Sequence, residues 1–129
     1  MKAVVINAVL VGIGGFIGVI SRYALNGVIH RRVPQMTFPV GTLAINLLGC
    51  LFIGVVAGFT ESKQLFSPDF RRFALIGLLG GFTTYSAFAY ETFTMIQEAE
   101  YLRAFSNAGV HVVLGLVLVW VGYSFSLAR

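Results

Sequence analysis

Charged residues are scarce in this chain, which has five acidic and nine basic residues among 129 positions. Soluble domains carry charge on about a quarter of their residues, so the composition excludes an ordinary soluble domain. Four runs lack Asp, Glu, Lys and Arg and cover residues 3–21, 33–60, 73–90 and 104–128. Each run reaches the roughly 18 residues that indicate a membrane span. We therefore predict an all-α membrane protein in which residues 1–129 form a single four-helix transmembrane domain.

Other absences narrow the function. Cys50 is the only cysteine, which excludes an intrachain disulfide. The two histidines, His30 and His111, lie on different predicted segments without a cysteine partner, which excludes a His/Cys metal cluster. No nucleophile stands with a base and an orienting group, so we expect no enzyme activity. The net charge of +4 is modest and its basic residues flank the predicted helices, which indicates contact with membrane lipid and not with nucleic acid.

The remaining pattern gives the approximate bounds of the helices. We predict helices over residues 4–27, 40–59 and 71–97, and a fourth that follows a turn at 98–103 and ends near residue 126. Prolines lie in the link at 29–38, at the start of the second helix and in the loop at 61–70, where they indicate helix boundaries. Small residues spaced four apart favour close helix packing in lipid, and they occur at Gly14/Gly18, Gly54/Gly58 and Gly77/Gly81.

The third predicted helix contains a sequence that is poorly suited to a helix. Two glycines and a phenylalanine precede Thr83 and Thr84, in the middle of an uncharged run. In lipid, irregular backbone is tolerated only where protein or an ion satisfies its polar groups. We predict a break around residues 81–84 and interpret it as part of a transport pathway. Because four helices are too few to enclose a polar route, we expect an oligomer.

Polar residues at membrane depth are the candidate site residues on the first two helices. Arg22 follows 19 uncharged residues, and it either extends to the headgroups or forms an anion-attracting vestibule. Asn46 lies centrally in the second helix, and Thr42 stands one turn earlier on the same face. The Asn46 amide either bridges two helices or offers an uncharged donor to a transported ion.

Further candidates lie on the last two helices. Tyr85 and Phe88 share a face with Ser86 between them, and their electropositive ring edges could meet an anion. Simple apolar packing is the alternative. Glu91 follows one turn later, and the sequence leaves open whether it pairs with an arginine, pairs with a backbone donor or marks the end of the span. Asn107 and His111 form a row with Gly115 at helical spacing, where His111 is either a hydrogen-bonded structural group or a proton relay.

Basic residues are nearly balanced across the predicted membrane. A helix count of four puts both termini on one side, and five basic residues there face three or four on the other, which is a weak orientation signal. A protein with little bias can insert both ways, and two opposite copies can pair about an in-plane two-fold axis. The side of the termini carries Lys2, Lys63, Arg71, Arg72 and Arg129. The other side carries Arg31, Arg32 and Arg103, with Arg22 nearer the membrane.

Three motifs in order resemble the CrcB/Fluc fluoride channel family. They span the first three helices and read Gly14-Gly15-x-x-Gly18-x-x-x-Arg22-Tyr23, then Gly41-Thr42-Leu43-x-x-Asn46-x-x-Gly49-x-x-x-x-Gly54, then Gly77-x-x-Gly80-Gly81-x-Thr83-Thr84-Tyr85-Ser86-x-Phe88. The resemblance implies a multi-pass protein of the cell inner membrane that exports fluoride. It also implies an antiparallel, dual-topology homodimer with two pores and a central structural sodium ion.

The resemblance assigns roles to individual residues. It implies that the backbone carbonyls of Gly80 and Thr83 hold the sodium ion. The expected fluoride-pore residues are Asn46, Tyr85, Ser86, Phe88, Thr42, Arg22, Asn107 and His111, with Tyr85 and Phe88 as the lining aromatics, Asn46 as the pore amide and Arg22 as the vestibule charge. The chain departs from the family pattern in having Tyr85 for a usual Phe, Ala87 for a common Thr, and Asn107 and His111 where Tyr and Ser are expected.

Two other functions compete with this interpretation. A small multidrug-type, proton-coupled exporter also has four helices. Exporters of this type resemble one another in needing a membrane-embedded carboxylate in helix one. Helix one here has none, and Glu91 in helix three is the only candidate. A membrane assembly subunit without transport activity is the second alternative, and the predicted break and Asn46 argue against it.

Overall fold

The computed structural model describes residues 1–34, 38–63 and 65–128, and this part of the chain contains helices and no strand. Four helical spans are long and apolar enough to cross a membrane. This confirms the predicted all-α class with four spanning helices. The elements are α1 (Lys2–Arg32), α2 (Val40–Lys63), α3 (Pro68–Arg71), a π-helical stretch (Arg72–Leu79), α4 (Gly80–Phe82), α5 (Tyr85–Gln97) and α6 (Tyr101–Leu127).

The helices extend beyond several of the predicted bounds. The first helix continues past residue 27 to Arg32, and the second continues past residue 59 to Lys63. Charged residues mark where a span leaves the hydrocarbon, whereas a helix can continue among headgroups because its backbone hydrogen bonds are internal. The link predicted at 29–38 is therefore helical as far as Arg32, and its residues 35–37 lie outside the described residues. Residues 64 and 129 also lie outside them.

Local caps set the other two boundaries. Ser67 caps α3 because its hydroxyl accepts a hydrogen bond from the Phe70 N–H at 3.2 Å, and Pro68 occupies the first helical position. The third span therefore starts before the predicted residue 71. The turn predicted over 98–103 is shorter, because α6 already begins at Tyr101. Ala99 makes this tight turn possible by adopting a left-handed conformation with φ 60°.

Close helix packing occurs where the sequence places small residues. α2 lies along α6, and α1 lies against the π-helical stretch and α4. A Cβ atom on Gly14 would be 2.5 Å from the Phe73 carbonyl oxygen, and one on Gly58 would be 2.8 Å from the Tyr123 carbonyl oxygen. Both obstacles are backbone atoms that cannot move aside. The prediction that the glycine pairs permit close packing is confirmed at these contacts.

Two extended residues separate α4 from α5. Thr83 has φ −82° and ψ 160°, and Thr84 has φ −148° and ψ 107°. Gly80 and Gly81 remain helical, although they were included in the sequence predicted to be poor helix. Their role is a close approach, because a Cβ atom on Gly81 would lie 2.6 Å from the Gly15 carbonyl oxygen.

The outer surface of the helices is strongly apolar. Phe16, Leu116 and Trp120 are each about two-thirds exposed, at 70%, 68% and 67%. Buried apolar residues are few and include Ile45 and Met95. Exposed apolar surface of this extent is unfavourable in water and suits contact with lipid or with another helix bundle. Together with its four spans, this surface is that of a multi-pass membrane protein.

Candidate functional site

The extended residues at the centre of the third span are held by side chains from the first two helices. The Asn46 amide makes two hydrogen bonds with Thr84, donating from Nδ2 to the Thr84 carbonyl at 3.1 Å and accepting from the Thr84 N–H at 2.8 Å. Arg22 Nη1 donates to the Thr83 carbonyl oxygen at 3.1 Å. These bonds satisfy backbone groups that extended residues cannot pair within their own helix.

Asn46 and Arg22 thus both bind the backbone of the third span. Asn46 bridges two helices, which was one of its alternative interpretations, and one Nδ2 hydrogen remains beyond the bond to Thr84. Arg22 is half-buried and reaches inward to the backbone, so extension to the headgroups does not describe it. α1 and α2 therefore contribute one polar side chain each to the same two residues of the third span.

A cavity of about 390 Å³ lies beside these extended residues. Its wall includes Asn46, Tyr85, Phe88 and His111. The Tyr85 and Phe88 ring centroids are 5.8 Å apart with the planes inclined at 54°. The Phe88 and His111 centroids are 4.4 Å apart with the planes inclined at 41°. The structure therefore brings four of the predicted fluoride-pore residues together, on α2, α5 and α6. The two predicted sodium ligands, Gly80 and Thr83, line the same cavity.

Asn107 belongs to a buried hydrogen-bonded row behind this cavity. Its Nδ2 donates to Thr92 Oγ1 at 2.9 Å, and the Thr92 hydroxyl donates to the Phe88 carbonyl at 2.8 Å. His111 Nδ1 lies 2.9 Å from the Asn107 carbonyl oxygen. Because Asn107 is completely buried, it supports the wall from behind. Sequence analysis missed Thr92, whose only signal was its position one turn after Phe88.

Thr42 lies at a different cavity. Its hydroxyl donates to Glu91 Oε1 at 2.5 Å, and both residues line a cavity of about 410 Å³ near the end of α1. His30, Glu98 and Arg103 also line this cavity. Glu91 therefore has a threonine hydroxyl as its partner, and not the arginine or backbone donor that the sequence suggested. The Thr42 side chain is directed to Glu91, one turn along α2 from the Asn46 contact.

Ser86 lies apart from both cavity walls. It is exposed in the first turn of α5, beside the exposed Tyr85. The N-terminus of this helix is capped by Thr84, whose hydroxyl accepts from the Ala87 N–H at 3.3 Å. The predicted site residues therefore fall into a group around Phe88, a pair at Thr42, the inward-directed Arg22 and the outward-facing Ser86.

The carbonyl oxygens of Gly80 and Thr83 fit a hard cation in ligand type. The Thr84 N–H donates to Asn46, which leaves the Gly80 carbonyl without its usual helical donor. The Thr83 carbonyl accepts from Arg22 and retains a second lone pair. The Arg22 charge opposes a cation here, and two carbonyls are fewer than a cation requires, so further oxygen ligands would have to come from outside this chain.

Comparison with known proteins identifies the family of this chain. A family model described as CrcB-like protein, Camphor Resistance (CrcB), matches residues 9–123. A fluoride-specific ion channel FluC of Methylobacillus flagellatus is 40% identical over 117 residues, which cover 91% of each chain. The protein of the same name from Nitratidesulfovibrio vulgaris is 40% identical over 114 residues, covering 88% of this chain and 91% of the relative.

A third relative is equally similar. Fluoride-specific ion channel FluC 3 of Methanosarcina barkeri is 41% identical over 118 residues, covering 92% of this chain and 88% of the relative. The resemblance inferred from the three glycine-rich motifs is thereby confirmed. The similarity extends over all four membrane spans, and the chain belongs to the CrcB-like protein family.

Proposed function

We propose that this protein is a fluoride channel of the cell inner membrane. The observation that carries the proposal is the match over about nine-tenths of the chain to relatives named fluoride-specific ion channels. The chemistry of the cavity beside Phe88 supports it. Fluoride is small and strongly hydrated, and a channel site must replace that water without holding the ion too tightly.

The donors in this cavity are weak, as conduction requires. Tyr85 and Phe88 present ring edges that carry partial positive charge. The second Nδ2 hydrogen of Asn46 adds an uncharged donor in the same wall. Arg22 is the nearest fixed cation on α1, and its hydrogen bond to Thr83 keeps it at the backbone. Fluoride would therefore pass the rings and the amide while remaining mobile.

The pore is completed by a second copy in the opposite orientation. Tyr85 is 80% exposed, although its hydroxyl lies within a spanning segment where contact with lipid is unfavourable. Its partner ring, Phe88, also lines a cavity that one copy does not enclose. Covering this face in an antiparallel homodimer creates two equivalent pores, one for each Phe88. The nearly balanced basic residues allow the two orientations to insert.

A structural sodium ion would occupy the centre of this dimer. The carbonyls of Gly80 and Thr83 would be its ligands in each copy, so two copies would supply twice as many oxygens as one. When bound, the ion contributes positive charge that favours an anion in the neighbouring pores. Arg22 bonds the Thr83 carbonyl directly, and Asn46 accepts from the Thr84 N–H that would otherwise bond the Gly80 carbonyl.

Fluoride efflux from liposomes tests the function directly. Protein-containing vesicles loaded with fluoride are diluted into fluoride-free buffer, with a potassium ionophore to carry the counter-charge and no proton gradient. A fluoride electrode should record rapid release, and chloride-loaded vesicles should release little. Release only when a proton gradient is imposed would favour the proton-coupled exporter. Release equal to that of protein-free vesicles would refute the channel.

A further inference from the structure

The hydrogen bond of His111 determines which of its ring nitrogens carries a proton. Nδ1 lies 2.9 Å from the Asn107 carbonyl oxygen, which can only accept. Nδ1 therefore carries a hydrogen, and in the neutral ring Nε2 is left with a lone pair. Among the described residues, Nε2 is buried and has no hydrogen-bond partner. A buried acceptor without a partner is unusual and calls for an explanation from function or from a missing ligand.

The groups around His111 do not supply that partner. The Phe88 ring lies against the imidazole at 4.4 Å and can donate no conventional hydrogen bond. Of the titratable groups on the neighbouring helices, Tyr85 on α5 and Cys50 on α2 line the cavity with His111, whereas Tyr90 and Glu91 on α5 and Glu61 on α2 do not. The Glu91 carboxylate is bonded to Thr42, and the wall shared by His111 contains no carboxylate. Arg22 from α1 is bonded to Thr83.

A second proton on this ring can go only to Nε2. It would convert the lone pair into an N–H donor and would place a positive charge beside Phe88. No acceptor among the described residues stands within hydrogen-bond distance of that donor. An unpaired N–H on a buried cation is costly, so protonation is favoured only when an anion is present to accept the bond. The unprotonated nitrogen, in contrast, presents a lone pair that repels an anion.

We propose that His111 couples a proton to fluoride in the cavity beside Phe88, so that each favours the binding of the other. The proton comes from the aqueous phase and returns to it, and no covalent bond of the protein changes apart from Nε2–H. The proposal rests on the proposed function. It adds that fluoride binds more tightly in this cavity as pH falls, because coupling of two binding events is reciprocal. Flux then rises with occupancy as long as fluoride is too dilute to fill the cavity.

Efflux at several pH values tests the coupling. The same pH is set on both sides of the vesicle, between about pH 8 and about pH 5, where an ordinary imidazole titrates. Release from protein-free vesicles at each pH is subtracted, because hydrogen fluoride crosses lipid in acid. With fluoride dilute enough to leave the cavity mostly empty, we expect the wild-type rate to follow the gain in affinity and to rise about fivefold or more, the lower end of typical site coupling. His111→Gln should have a flat profile, and His30→Gln, the matched control at the other histidine, should retain the rise.

A binding measurement tests the same coupling without transport. The His30→Gln protein contains a single histidine, so imidazole labelled with ¹⁵N gives the signal of His111 alone. At a fixed mildly acidic pH, fluoride should increase the protonated fraction of this ring, and chloride should not. A pH dependence of wild-type efflux as flat as that of His111→Gln, or an imidazole signal that does not change when fluoride is added, would overturn the coupling. Absence of wild-type flux at every pH would instead refute the channel, and the imidazole signal would then decide the coupling alone.

Discussion

At the scale of single residues, Phe88 is the contact that separates anion recognition from apolar packing. Phe88→Ile keeps an apolar side chain and removes the ring edge, at a packing cost of about 1–2 kcal/mol. We expect fluoride efflux to collapse while the protein still elutes as the same oligomer in size-exclusion chromatography. Efflux at the wild-type rate would show that the ring edge does not coordinate fluoride.

Tyr85 provides the matched control on the same face. Tyr85→Phe keeps the ring, 5.8 Å from Phe88, and removes only a hydroxyl. We expect this variant to retain flux or to increase it. A severe loss would mean that the hydroxyl is itself a donor to the ion, in place of the threonine hydroxyl that the family commonly has at position 87.

Asn46 combines two roles: its two hydrogen bonds hold the Thr84 backbone, which we call the clamp, and its second Nδ2 hydrogen is the proposed donor to the pore. Asn46→Leu leaves both polar groups of Thr84 unpaired, each at a cost of about 1–3 kcal/mol where it is buried. We expect flux to disappear and thermal stability in detergent to fall. Asn46→Asp keeps the acceptor for the Thr84 N–H, so it should recover part of the stability, but its negative charge should still block the anion. Full stability in the leucine variant would show that the clamp is unimportant.

The sequence was sufficient to select the candidate site residues, but it was not sufficient to predict their hydrogen-bond partners. Asn46, Phe88 and Arg22 stand out because polar or aromatic residues in an uncharged run have few explanations. Their contacts depend on the relative rotation of four helices, which no local pattern specifies. The bond from Thr42 to Glu91 and the bond from Arg22 to the Thr83 carbonyl therefore required the structure. The assignments of these residues to a fluoride pore remain predictions.

At the scale of helices, two glycines on α1 have opposite environments. A Cβ atom on Gly18 would overlap the Leu78 carbonyl oxygen and lie 2.8 Å from the Phe82 nitrogen, whereas one on Gly12 would meet nothing within 4 Å. We expect Gly18→Ala to force α1 away from the third span and to lower thermal stability. Gly12→Ala should instead stabilise α1 by up to about 1 kcal/mol through helix propensity.

Thermal unfolding of both variants in the same detergent, together with fluoride efflux, checks this contrast. Gly18→Ala should also reduce flux, because α1 carries Arg22 one turn later, at the Thr83 carbonyl. Equal stability of the two alanine variants would indicate that the close contact between α1 and the third span is absent in the membrane.

The spans themselves were predictable because scarcity of charge is a strong signal over a whole helix. The π-helical stretch at Arg72–Leu79 was not predicted. Its apolar residues are compatible with either hydrogen-bond pattern, so the choice between the patterns depends on packing against α1. The ends of the first two helices were also placed too early, because hydrophobicity records the edge of the lipid and not the last helical bond.

At the scale of the whole molecule, the proposed dimer predicts two opposite orientations in one membrane. Its motivation is the near balance of basic residues on the two sides. Single cysteines placed near the N-terminus, in a background lacking Cys50, should be about half accessible to a membrane-impermeant reagent from each side if both orientations insert equally. Crosslinked pairs should include copies of opposite orientation. A population accessible from one side only would contradict the antiparallel arrangement.

The π-helical stretch also fixes the angular phase of everything that follows it. Each of its turns closes a hydrogen bond one residue later than an α-helical turn does. One residue of an α-helix corresponds to a rotation of about 100° about the helix axis. If a single wide turn became an ordinary one, the residues beyond it could keep their direction only if the chain lost one residue. The bonding of Arg72–Leu79 against α1 thus acts as an angular reference for Phe88, two segments farther along the chain.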